Sequence, residues 1–150
     1  MSIGQFCIRD TVFVKREDSI VEASRLMRQH HVGSLVVVEE YEGGNKPIGI
    51  LTDRDLVVEI LAEEVAPDSV SVGDVMSFEL VTAHESDGLW ETLQRMRIHG
   101  VRRMPVVDDR GFLVGIMSTD DFLEILASEL GELVKLRQRE QQREERSRGT

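Results

Sequence analysis

Cysteine is almost absent from these 150 residues: Cys7 stands alone, so no disulfide can close within the chain, and a reducing cytoplasm is its natural compartment. Long apolar runs are missing as well. Nothing approaches the roughly 18 consecutive apolar residues that would cross a bilayer, and residues 1–14 carry Arg9 and Asp10 with no uninterrupted apolar core. Secretion and membrane insertion are therefore not expected. Basic residues are outnumbered, 18 Lys and Arg against 28 Asp and Glu, giving a formal net charge of -10. A surface of that sign repels nucleic acid and anionic membranes unless a local basic patch overrides it, so neither is expected as a partner. The phosphate-cradling loop of the P-loop enzymes and the glycine fingerprint of dinucleotide-binding folds are missing, and no nucleophile, base and orienting acid recur together. An enzyme is not expected, nor a resident cofactor.

What remains is the composition of a soluble globular protein, most of which is expected to fold. Hydrophobic residues make up 41% and charged residues 31% of a chain about the size of one compact domain. Laid on itself, the sequence repeats. At a shift of 69 residues Asp18 meets Asp87, Glu22 meets Glu91, Met27 meets Met96, Arg28 meets Arg97, His30 meets His99 and Val37-Val38 meets Val106-Val107. Further on, at a shift of 66, Gly49, Ile50 and Asp55 meet Gly115, Ile116 and Asp121. The first copy thus holds a longer connection, Glu40 to Pro47, where the second has the turn Asp108-Asp109-Arg110-Gly111. Two such units, each too small to hide its own apolar face, are expected to pack on each other.

Both copies read as β-α-β-β-α. A short extended segment (Val12 to Val14; Leu80 to Thr82) leads into an amphipathic helix opened by Asp18-Ser19 or Asp87-Gly88. Ile20, Ala23, Leu26 and Met27 hold helical spacing in copy one, with a capping box from Ser19 and Glu22; Leu89, Leu93 and Met96 do the same in copy two. Leu35 to Val38 and Met104 to Val107 read as buried strands, Ile48 to Leu51 and Val114 to Met117 as the strands that follow. Helices close each copy, from about Thr52 to Glu63 and from Ser118 onward. The organisation expected is repeat one over 1–65, a linker over 66–72 containing Ala66-Pro67-Asp68-Ser69, repeat two over 73–130, and a charged helical extension or tail over 131–150.

One pattern carries chemistry. Strand, then Gly-apolar-apolar-Ser/Thr-x-x-Asp, then helix occurs as Gly49-Ile50-Leu51-Thr52-Asp53-Arg54-Asp55 and as Gly115-Ile116-Met117-Ser118-Thr119-Asp120-Asp121. A hydroxyl followed three residues later by an acid is what a helix cap needs, and capping alone accounts for it. The same groups suit a nucleotide: a carboxylate offers two acceptor oxygens to a ribose diol, and N–H groups at a helix start favour phosphate. Both readings stand at this level.

The doubled unit, with these two motifs and the segment Val101-Arg102-Arg103-Met104-Pro105-Val106-Val107-Asp108, resembles a tandem cystathionine-β-synthase (CBS) domain pair over roughly residues 2–130. The resemblance implies an α+β fold in which two β-α-β-β-α repeats pack about a pseudo-two-fold axis, leaving two clefts for AMP, ADP, ATP or S-adenosylmethionine. It further implies that Asp55 and Asp121 hold ribose, that Thr52 and Ser118 contact ribose or phosphate, that Arg102 and Arg103 face phosphate, and that Met104 and Pro105 border adenine. Copy one departs from the pattern, with Gly33 and Ser34 at the arginine positions and Val36 at the proline; Arg54 is its candidate cation. The second cleft, with Arg102 and Arg103 beside Ser118, is therefore expected to bind phosphorylated ligands more tightly.

His30 and His99, at helix C-termini, complement the helix dipole, and neither His31 nor His84 has a partner at metal-ligand spacing, so no metal site is expected. Met27 and Met96 fill the core. Beyond Leu126, Leu130 and Leu133, which keep helical spacing, the chain turns polar. That stripe and the resemblance point to a homodimer that senses an adenosine nucleotide and controls a partner protein. A ligand-free dimerisation or interaction scaffold is the alternative, and a regulatory piece of a larger enzyme such as inosine monophosphate dehydrogenase is disfavoured by the opening Met and the polar end.

Overall fold

The computed structural model describes residues 1–149. Its first three strands, β1 (Phe13–Lys15), β2 (Ser34–Tyr41) and β3 (Gly44–Thr52), form one sheet in that order, β1 parallel and β3 antiparallel to β2. Helix α1 (Ile20–His30) bridges β1 and β2; α2 (Asp53–Asp55) follows β3 and runs on as a π-helical stretch, Leu56–Leu61. The second sheet repeats the plan with β4 (Ala83–His84), β5 (Arg103–Val107) and β6 (Leu113–Ser118), β4 being parallel to β5. Between the two lies the short α3 (Val72–Val75), α4 (Leu89–His99) connects β4 to β5, and α5 (Thr119–Arg148) follows β6. The fold is α+β, and the chain divides into a unit over Met1–Met117 and a second, Ser118–Thr150, formed by α5 and its flanks.

Local chemistry explains these elements. The Asp18 carboxylate accepts the Lys15 N–H at 2.8 Å and Asp87 accepts the His84 N–H at 2.9 Å, which is why both acids recur at the strand-to-helix turn. Ser19 accepts the Glu22 N–H at 3.0 Å and caps α1, although the return bond of a full capping box is not made. Ile20, Ala23 and Met27 are buried as expected. In α4 the buried positions are Leu89, Thr92 and Met96; Leu93 is only half-buried. Thr92 stands where Ala23 does, and its hydroxyl donates to the Gly88 carbonyl at 2.8 Å, so its burial leaves no polar group unsatisfied.

Two strand boundaries differ from the sequence reading. Glu40 to Pro47 is a continuation of the hairpin: Glu40 pairs with Asn45 and Tyr41 with Gly44, leaving a two-residue turn in which Gly43 has φ 93. A glycine at that positive φ closes such turns without strain, and Pro47 is accommodated at the register shift beside Val38. The extended segment read at Leu80 to Thr82 lies later, at Ala83–His84, where Val106 and Val107 supply the pairing.

The leading segments of the two repeats are exchanged. N–H groups of Ile3 and Gly4 donate to the carbonyls of Asp87 and Glu85 at 2.8 and 2.9 Å; those of Val72 and Gly73 donate to Asp18 and Arg16 at 2.9 and 2.8 Å. A few residues on, Ile8 and Ile116 exchange a pair of backbone hydrogen bonds, and so do Ser77 and Ile50. Every one of these contacts has its counterpart in the other copy. The stretch read as a linker therefore ends inside a core: Val72 is fully buried and clusters with Met76, Val14, Leu35 and Leu51 of the first repeat. Ile3 is fully buried and Cys7 nearly so. Neither repeat completes its sheet edge without the other.

Close approach at these crossings demands glycine. A Cβ on Gly49 would lie 2.5 Å from the Ser77 carbonyl oxygen, and one on Gly115 would lie 2.8 Å from the Ile8 carbonyl oxygen. Neither backbone atom can move without breaking the paired hydrogen bonds, so Gly49→Ala and Gly115→Ala are each expected to cost about 1–3 kcal/mol of stability, read by urea denaturation. Gly131, in the middle of α5, has nothing within 4 Å of its Cβ position, and Gly131→Ala is expected to stabilise by about 1 kcal/mol through helix propensity.

Candidate functional site

Thr52 ends β3 and caps α2. Its hydroxyl accepts the Asp55 N–H at 3.1 Å while Asp55 Oδ2 accepts the Thr52 N–H at 2.9 Å. At the start of α5, Ser118 donates to Asp121 Oδ2 through both its N–H (2.7 Å) and its hydroxyl (2.8 Å), and the Asp121 N–H returns to Ser118 Oγ at 3.3 Å. Both repeated motifs are thus working caps. In each, one carboxylate oxygen is committed to the backbone and Oδ1 takes no hydrogen bond among the described residues. Capping and ligand binding do not compete for that second oxygen.

A cavity of about 280 Å³ opens beside Thr52, near the lower end of the roughly 300–1,000 Å³ usual for small-molecule sites. Ser34, Ile50 and Thr52 of the first repeat line it, together with Ser77, Glu79, Val101, Arg102 and Arg103 from the second. The reciprocal Ile50–Ser77 pair joins its two sides. Gly100, at φ 66, ends α4, and the Val101 N–H returns to the Met96 carbonyl at 3.0 Å; the chain then brings Val101, Arg102 and Arg103 to the wall as β5 begins. Among the described residues the Arg102 and Arg103 side chains make no ion pair or hydrogen bond, although Glu79 shares the cavity. Two guanidiniums, with the hydroxyls of Ser34, Thr52 and Ser77 in the same lining, are able to bind an oxyanion through forked, charge-assisted bonds.

The structure groups the expected residues in a new way. Arg102 and Arg103, expected beside Ser118, share a cavity with Thr52 and Ser34, so the first copy's lack of cations at Gly33 and Ser34 is made good from the second copy. Ser34 and Arg103 are equivalent under the 69-residue shift, and both face this space. Met104 and Pro105 are buried and do not line it. Asp55 is half-buried and Arg54 exposed; neither is on the wall, and among the described residues the Arg54 side chain makes no ion pair or hydrogen bond. Ile50, Ser77 and Glu79 were not anticipated, because they come to the site only through the exchange of leading segments.

Other candidates have structural roles. His99 Nδ1 bonds the Arg95 carbonyl at 2.8 Å, and His84 pairs with Asp109 and Ser86, each at 2.7 Å. No cluster of His, Cys, Asp and Glu able to hold a metal occurs among the described residues, and none of their helices is long and apolar enough to cross a membrane. The displaced pKa values lie on the first sheet: a hydrogen bond to Glu40 and its charge raise Lys15, the hydrogen bond and charge of Lys15 lower Glu40, and Glu39 raises Tyr41. These groups are solvated and screened; Lys15 and Glu40 also line a second, polar cavity of about 220 Å³ with Arg16, Glu17 and Glu39.

The CBS domain family model matches residues 3–62 and 72–128. An uncharacterized protein of Methanopyrus kandleri is 37% identical over 125 residues, 83% of this chain; the chain spans 62% of that relative's length. The CBS domain-containing protein YhcV of Bacillus subtilis is 40% identical over 108 residues, covering 72% of this chain and 73% of YhcV. Among solved structures, the CBS domain pair of protein MJ0100, in complex with 5′-methylthioadenosine and S-adenosyl-L-methionine, superposes with a TM-score of 0.72 at 25% identity, covering 84% of this chain and 99% of that one. With both repeats matched and their strands and helices in the expected order, the chain belongs to the CBS domain family as a tandem pair.

Proposed function

We propose that this CBS pair is a cytoplasmic regulatory module, without catalytic activity of its own, that binds an adenosine ligand (AMP, ADP, ATP or S-adenosylmethionine) and passes the change to a partner protein. The observation that carries the proposal is the cavity in which unpaired Arg102 and Arg103 meet Thr52 and Ser34. The MJ0100 domain pair, whose structure contains two adenosine compounds, supports the ligand class. In this reading the guanidiniums take the phosphates and the Thr52 hydroxyl adds a hydrogen bond. Ile50 and Val101 offer apolar surface to the base. Asp55, held to Thr52 at the edge of the wall, offers Oδ1 to a ribose hydroxyl, Arg54 beside it supplies further positive charge, and Met104 and Pro105 back the wall from the core; in the other motif Asp121, capped by Ser118, keeps an Oδ1 for the ribose of a second ligand. Glu79 is the one anionic residue of the lining, suited to a sulfonium and unfavourable to a polyphosphate. A ligand touching both repeats favours one arrangement of the pair over others, and the population shift is the signal. The active form is a homodimer, whose mass by light scattering is expected to be twice 17.0 kDa.

A second reading, a ligand-free scaffold, is favoured by the fact that both repeated aspartates already serve as helix caps. Calorimetry with AMP, ADP, ATP, NAD and S-adenosylmethionine separates the two, since a scaffold gives no binding heat with any of them. For the sensor, replacing Arg102 and Arg103 together by Ala is expected to weaken ATP at least about tenfold, each shielded charge-assisted bond being worth about 1.5–3 kcal/mol, while adenosine binding changes little. The salt dependence of ATP binding is expected to fall in the same variant.

Asp55→Ala divides the roles of the cap. Loss of the cap alone costs about 0.5–2 kcal/mol of stability, seen as a lower denaturation midpoint. The sensor reading adds a loss of roughly tenfold in nucleotide affinity at temperatures where the variant is fully folded, and unchanged affinity there would remove Asp55 from the site.

A further inference from the structure

Two acids recur on the exchanged leading segments without a structural task. Ile8 contacts Ile116 as Ser77 contacts Ile50, and Ile8 and Ser77 stand 69 residues apart, so Asp10 and Glu79 occupy equivalent positions two residues on. Asp18 and Asp87 recur at the same shift, and each accepts an N–H of its strand-to-helix turn. The side chains of Asp10 and Glu79 make no ion pair or hydrogen bond among the described residues, so they neither cap a helix nor close a turn.

Glu79 lines the same cavity as Arg102 and Arg103 and, among the described residues, is the one carboxylate of that lining. It pairs with neither guanidinium. A cavity of about 280 Å³ thus carries charge of both signs, none of it neutralised from within. A ligand matched to such a lining presents an anion to the arginines and a cation to Glu79. The amino acid of S-adenosylmethionine supplies a carboxylate for a guanidinium fork, and its ammonium and sulfonium groups are attracted to a carboxylate. A triphosphate satisfies the arginines alone. Its remaining negative charge is repelled by Glu79, and that repulsion grows as the bound ligand displaces water from the cavity.

From this unpaired carboxylate beside two unpaired guanidiniums, we propose that Glu79 selects among adenosine ligands at the cavity, favouring one whose adenosine carries a zwitterionic amino acid, as in S-adenosylmethionine, over a nucleoside polyphosphate. The proposal rests on the adenosine-ligand reading above. It adds the class of substituent that the cavity prefers and the residue that reads it.

Calorimetry on the full chain with S-adenosylmethionine and with ATP, at one pH and one ionic strength, tests it through the ratio of the two dissociation constants. The wild type is expected to bind S-adenosylmethionine the more tightly. Glu79→Gln, at an exposed position, keeps the shape of the side chain and removes its charge. It is expected to weaken S-adenosylmethionine and to strengthen ATP, moving the ratio at least about fivefold, a modest figure for a charged contact because Glu79 is open to solvent before the ligand arrives. Glu79→Lys is expected to reverse the order, so that ATP binds the more tightly. A wild type that prefers ATP, a ratio that moves less than about fivefold in Glu79→Gln, or an order that Glu79→Lys leaves unchanged overturns this proposal and leaves the adenosine-ligand reading standing. No binding heat with either compound overturns both.

Discussion

The backbone hydrogen bonds that carry each repeat's leading segment onto the other repeat are the constraint from which the site follows. Ile8 with Ile116 and Ser77 with Ile50 are the same contact made twice, and each needs a glycine, Gly115 or Gly49, where the chains pass. Because the segment from Val72 to Ser77 finishes the core and edge of the first sheet, the second repeat cannot leave the first without exposing Val72 and Met76. Burial of two such side chains is worth about 1.5–3 kcal/mol each, enough to keep the two repeats joined in a protein of ordinary stability. The same crossing brings Ser77 and Glu79 opposite Ser34 and Thr52, and so builds a cavity from parts of both copies.

Asymmetry within that symmetric frame gives the site its chemistry. Equivalent positions hold Ser34 in one repeat and Arg103 in the other, and both line one cavity, so a hydroxyl and a guanidinium take part in the same lining. The overall charge of -10 keeps polyanions at a distance. Arg102 and Arg103 are a local exception to that charge, able to draw a small anion into the cavity.

The repeat, the order of strands and helices, the caps at Ser19, Thr52 and Ser118, and the buried faces of α1 and β2 were legible because they depend on local spacing and on side chains that bond near neighbours. The burial of Thr92 in place of Leu93 was not, since it turns on a hydroxyl finding the Gly88 carbonyl. The hairpin beyond Glu40 was hidden by its Gly, Asn and Pro content, which reads as loop until pairing across Val38 and Pro47 is known. At the site, Thr52, Arg102 and Arg103 were legible as residue types but their grouping was not. It is set by hydrogen bonds between segments far apart in sequence, and no local pattern encodes those.

The central claim is that the cavity joining Ile50 and Ser77 is where an adenosine ligand acts. The most direct test is a backbone amide map of the labelled protein during titration with AMP and with ATP. The account predicts saturable shifts concentrated at Ser34, Ile50, Ser77 and Arg103, larger for ATP near the arginines. Saturable shifts confined to residues outside this cavity, or none with either nucleotide, would contradict it.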